Sequence, residues 1–107
     1  SRFRIYLEQL FRYLESKKIT TFLIKEQQGP SYTGSYKNDK DSAIGFLSDG
    51  IIVLYNVIYD NGERDRAIEI LKMRGTNIKR KIVPMEITKR GIEIYPDKTL
   101  RGKHHLS

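Results

Sequence analysis

Cysteine is absent from all 107 residues, so disulfides, thiol nucleophiles and cysteine-ligated zinc have no place in this chain. Long apolar runs are absent too: no stretch approaches the roughly twenty residues of a membrane-spanning helix, and no secretory leader pattern is visible. A cytoplasmic location and no membrane partner are therefore expected. The signatures of the common hydrolases are missing, with no H-E-x-x-H, no paired-carboxylate motif and no Ser-His-Asp signature. No metal site is expected either. His104 and His105 are adjacent, and neighbours in an extended chain point opposite ways and chelate poorly. Negative charge is scarce, 13 Asp and Glu against 20 Lys and Arg, for a formal net charge of +7. That balance favours polyanions such as nucleotide phosphates or nucleic acid, although cations scattered along a chain also simply solvate its surface.

What is present centres on residues 48–76. Gly50 is followed by an aliphatic and β-branched run, Ile51 to Leu54, continued by Tyr55, Val57, Ile58 and Tyr59, which suits a strand covered on both faces. Asp60-Asn61-Gly62 is a turn signal, and residues 66–73 read as the antiparallel partner. On that second strand a period of two places Arg66, Ile68, Ile70, Lys72 and Arg74 on one face and Ala67, Glu69, Leu71 and Met73 on the other. Lys72 and Arg74 then leave the strand together, and Gly75 breaks it. Two cations side by side at a strand end, next to a glycine, can meet a phosphate or carboxylate.

The remaining segments fit around this hairpin. Phe3, Leu7, Leu10, Phe11 and Leu14 fall at helical spacing, predicting an amphipathic N-terminal helix that Ser16-Lys17-Lys18 ends. Residues 19–25, I-T-T-F-L-I-K, read as a strand, and helix followed by strand implies a parallel portion of the sheet. Glu26 would then lie at that strand's carboxyl end, where ligands sit in open α/β sheets. Residues 29–41 are rich in turn formers and interleave Tyr32 and Tyr36 with Lys37 and Lys40. Asp41 or Ser42 can cap a short helical turn through Ala43, Ile44, Phe46 and Leu47. Lys79, Arg80 and Lys81 make a basic turn. Residues 82–87 and 92–95 form a second hairpin in which Pro84 argues for an edge or a bulge. Residues 97–107 read as a polar tail.

The string L-K-M-R-G-T from Leu71 to Thr76 is preceded by F-L-S-D-G-I-I-V-L and followed by M-E-I-T-K-R-G-I-E-I-Y-P. Order and spacing together resemble the C-terminal half of a KaiC-like ATPase of the RecA superfamily. The resemblance implies an α/β fold: a partial RecA-like core over residues 1–96, with one amphipathic N-terminal helix and a mixed sheet whose C-terminal portion is an antiparallel hairpin. Such ATPases bind nucleotide with a G-x-x-x-x-G-K-[ST] loop, which this chain lacks. The chain is therefore expected to be a piece of a larger protein, with the missing N-terminal half as a partner. By resemblance, the parent binds ATP and Mg, whereas neither is expected to bind tightly to this piece alone. The parent also forms a homo-oligomer, with six subunits expected. Lys72 and Arg74 would reach the phosphates of ATP held on the next subunit, Thr76 would make a polar contact beside them, and Glu26 would sense the γ-phosphate. Where circadian-clock members carry a histidine two residues beyond the threonine, this chain has Ile78. The alternative is a small basic module that binds DNA or RNA through Tyr32, Tyr36 and Lys37 and through Lys79, Arg80 and Lys81.

Overall fold

The structure, a computed structural model, describes residues 2–26 and 39–106, and for residues 39–42 the backbone alone. The described residues divide into a helical unit, 2–26 and 39–48, and a sheet unit, 49–106.

In the helical unit α1 spans Arg2–Ser16 and α2 spans Asp39–Leu47. The amphipathic pattern works as expected at Leu7, which is buried, while Phe3, Phe11 and Leu14 are half-buried. Leu10 is exposed, so the apolar stripe is only partly used. The two helices pack together, with Ala43 buried and the Arg4 guanidinium 5.0 Å from the centre of the Phe46 ring. Helix α2 begins at Asp39, so Asp41 and Ser42 lie within its first turn rather than ahead of it. At the end of α1, Lys18 N–H donates to the Glu15 carbonyl and Ile19 N–H to the Leu14 carbonyl, with Lys18 at a φ of 55°. This is a Schellman cap with lysine in the left-handed position usually given to glycine.

Residues 19–25 do not form the expected strand. Phe22 is 82% exposed and Ile24 92%. A strand of this composition needs a ladder on each side to satisfy its backbone, and among the described residues none pairs with it. The expected parallel portion of the sheet is accordingly absent from the described residues, where every strand pairing is antiparallel.

The sheet unit is built on the predicted hairpin. Strands β1 (Gly50–Tyr59) and β2 (Arg64–Met73) are joined by a turn in which Gly62 has a φ of 89° and its N–H donates to the Tyr59 carbonyl. Strands β3 (Val83–Thr88) and β4 (Gly91–Ile94) form the second hairpin, and β5 (His104–Leu106) follows. The order across the sheet is β4-β3-β2-β1-β5.

Two expectations change here. Pro84 lies in an interior strand, not an edge, yet its carbonyl accepts from Tyr95 N–H at 3.0 Å, so its nitrogen faces the place where β4 has just ended. Part of the polar tail becomes β5, because Leu106, 5% exposed, packs onto the side chains of β1.

One face of the sheet carries the core, Tyr55, Val57, Tyr59, Ala67 and Leu106, flanked by the half-buried Val53, Ile82 and Leu100. Within that face the Tyr55 hydroxyl donates to Glu69 Oε1 at 2.8 Å, which satisfies the buried carboxyl. The opposite face leaves Ile52, Leu54, Ile70, Ile87, Ile92 and Ile94 exposed.

Candidate functional site

The cationic pair sits at the open end of the first hairpin, and a β-bulge decides how it is presented. Pairing runs regularly from Ile58 opposite Arg64 to Ile52 opposite Ile70, and then slips, so that Ile51 faces Lys72 and Leu71 is the extra residue. Beyond the slip the alternation of β2 is reversed. Lys72 joins the face of Val53, Tyr55 and Glu69, not that of Ile68 and Ile70 as a strict period of two predicts. The ladder continues one rung past the strand ends: Arg74 N–H donates to the Asp49 carbonyl at 2.8 Å. Arg74 therefore stays on the same face as Lys72, as expected, but that face is the one bearing the core.

Lys72 is half-buried. Burial, and then the positive charge of Arg74, push its ammonium below the usual value, while Asp49 pulls it back up. Arg74 is exposed, and its Nη1 lies 3.2 Å from Asp49 Oδ1. Three other carboxylates of the sheet have contacts of their own. Glu69 meets Tyr55, Glu86 accepts from the Tyr95 hydroxyl, and Asp65 lies 3.7 Å from Arg101. Gly75, with a φ of 75°, turns the chain immediately afterwards, and Thr76 N–H donates to the Met73 carbonyl. A side chain at position 75 would strain that left-handed backbone. Thr76 is exposed in the same turn.

The structure thus brings Lys72, Arg74 and Thr76 to one sheet end. Glu26 belongs to the helical unit, exposed at the limit of the described residues. Of the basic turn, Lys79 is 3.9 Å from Asp97, Arg80 is exposed and Lys81 is half-buried. Tyr32, Tyr36 and Lys37 lie outside the described residues, so no nucleic-acid surface joining them to Lys79, Arg80 and Lys81 is visible. Asp49 is the residue that sequence reasoning missed. Counting rungs from the turn without the bulge puts it opposite Met73, and only the slip at Leu71 aligns it with Arg74.

Chemically, two cations side by side at a sheet end suit an anion such as a phosphate. Among the described residues, no group of three or more carboxylates, histidines or cysteines could hold a metal ion. No helix among the described residues is long and apolar enough to cross a membrane.

A protein-family model described as ATPase: KaiC matches residues 1–99. The circadian clock oscillator protein KaiC of Picosynechococcus sp. is 45% identical over 51 residues, covering 48% of this chain and 10% of that protein. KaiC of Synechococcus elongatus is 43% identical over the same length. The UPF0273 protein PH0284 of Pyrococcus horikoshii is 46% identical over 56 residues, 51% of this chain and 22% of that protein. The matched part thus spans less than a quarter of each of these relatives. With the family match running over nearly the whole sequence and a helix-and-sheet architecture consistent with a partial RecA-like core, this chain belongs to the KaiC ATPase family.

Proposed function

We propose that this chain is the C-terminal part of a KaiC-like ATP-binding protein and supplies trans-acting cations to ATP held on a neighbouring subunit of an oligomer. The observation that carries this reading is the placement of Lys72 and Arg74 on one face of one sheet end, with a glycine turn directly after them. Phosphoryl transfer spreads charge over the equatorial oxygens of the transferred group, so catalysis rests mainly on positioning and charge stabilisation. The planar fork of Arg74 suits two phosphate oxygens at once, and Lys72 adds a point charge beside it. An arriving phosphate would also push the Lys72 ammonium back up against the effect of its burial. Thr76 adds a hydroxyl at the same turn, and Glu26 is assigned to the γ-phosphate of the parent's own site.

The exposed Ile19, Phe22, Leu23 and Ile24 and the exposed isoleucines of the sheet support an incomplete core that the rest of the parent covers. Catalysis by the parent requires the phosphate-binding loop that this chain lacks, so the 107-residue chain alone is expected to show no turnover. The test is ATP hydrolysis by the full-length gene product. Lys72→Ala and Arg74→Ala should each slow it strongly, and a trans arginine can contribute roughly a thousandfold. Mixing Arg74→Ala subunits with subunits defective in their own phosphate loop should restore part of the rate. Unchanged turnover and unchanged assembly in both single variants would remove the proposal.

A further inference from the structure

The geometry points to Asp49 as the positioning residue for Arg74, fixing the direction in which the guanidinium meets a phosphate; this rests on the trans-cation reading above. Asp49 holds Arg74 at two points. Its carbonyl accepts from the Arg74 backbone N–H at 2.8 Å, and its Oδ1 lies 3.2 Å from Arg74 Nη1. The first contact sets the root of the side chain and the second its tip, so the intervening torsions are constrained from both ends. The rung beneath is tight. A Cβ placed at Gly50 would lie 3.1 Å from Met73 Sδ, so a side chain there would crowd the methionine on the partner strand.

The ion pair is too exposed to matter much for folding. The Arg74 side chain is 55% exposed and that of Asp49 88%, and pairs in such surroundings contribute little to stability. The same exposure leaves the guanidinium accessible to a second anion while Asp49 holds one end of it. Arginine loses many rotamers when it is fixed in place, and a carboxylate that fixes it beforehand removes that cost from the reaction. The bulge at Leu71 is what makes the arrangement possible, since without it Met73 would face Asp49. Asp49 touches neither ATP nor the reacting atoms in this scheme and acts only through Arg74.

The test uses the full-length gene product and follows ATP hydrolysis against ATP concentration, with thermal unfolding in parallel. Asp49→Ala should lower kcat by about fivefold, the scale of an exposed ion pair, without moving the unfolding midpoint. Asp49→Asn keeps an acceptor oxygen and should recover part of the rate, and it serves also if Asp49→Ala fails to fold. In the Arg74→Ala background Asp49→Ala should cost nothing further. An equal loss from Asp49→Ala with and without Arg74 would overturn the positioning role while leaving the trans-cation reading in place. Faster turnover in Asp49→Ala would overturn it as well, by making the carboxylate a competitor of the phosphate. No effect of Arg74→Ala would remove both proposals together.

Discussion

Replacing Tyr55 by phenylalanine deletes one hydroxyl from the middle of the buried sheet face and takes away the donor that meets Glu69 at 2.8 Å. Tyr55 is 3% exposed and Glu69 9%, so water cannot readily take the place of the phenol. Leaving a buried acceptor without its donor costs about 1–3 kcal/mol. A loss of about 2 kcal/mol lowers the thermal midpoint of a domain this size by roughly 8–16 °C.

The pair also leaves a signature in alkali. Burial first, and then the hydrogen bond and charge of Glu69, push the Tyr55 phenol above its ordinary value of 10.0. A group whose pKa is raised by folding contributes stability that is complete below its unfolded value and fades as the pH climbs past it. The stability owed to Tyr55 is therefore intact at pH 7 and declines above pH 10. Thermal unfolding followed by circular dichroism between pH 7 and 11 measures both effects. The phenylalanine variant should start lower and lose less between pH 10 and 11 than the parent. Changing both partners, Tyr55→Phe with Glu69→Leu, should recover much of the loss, since an apolar pair strands no polar group. A Tyr55→Phe variant as stable as the parent at pH 7, with the same decline above pH 10, would refute this account of the core.

Two further outcomes concern the ends of the units. Lys18→Gly should stabilise α1 by about 1 kcal/mol, because glycine adopts the left-handed cap position without the penalty lysine carries there; a lower unfolding midpoint would contradict that reading. At the other end of the chain, Arg101 bonds Glu63 at 2.6 Å and lies 4.2 Å from the centre of the Tyr59 ring, tying β5 to the β1–β2 turn. The hydrogen bond and charge of Arg101 hold the Glu63 carboxyl below its usual 4.5, so its contribution is present above pH 4.5 and lost as the pH falls through the lower folded value. Amide protection factors in β5, corrected for the intrinsic pH dependence of exchange, should fall on acidification before those of β1 and β2 do, and Glu63→Gln should reduce that dependence.

Sequence alone determined the elements whose signals are local. The apolar periodicity of residues 3–14, the Asp60-Asn61-Gly62 turn between two β-rich runs, and the hairpin of residues 82–95 each carry their pattern within a few neighbours, and each appears in the structure. The string around Leu71–Thr76 marked both the family and the cationic pair, because a motif's spacing survives without knowledge of the packing. What only the tertiary structure decided depends on partners distant along the chain. Residues 19–25 have the composition of a strand, but composition supplies no ladder, and they stay exposed. The tail's last residues became β5 because the free edge of β1 offered Leu106 a place beside Val57. The bulge at Leu71 moved Lys72 and Arg74 to the opposite face and aligned Asp49 with Arg74. A one-residue slip inverts every later side chain of a strand, and whether a slip occurs is a property of two strands together, never of one.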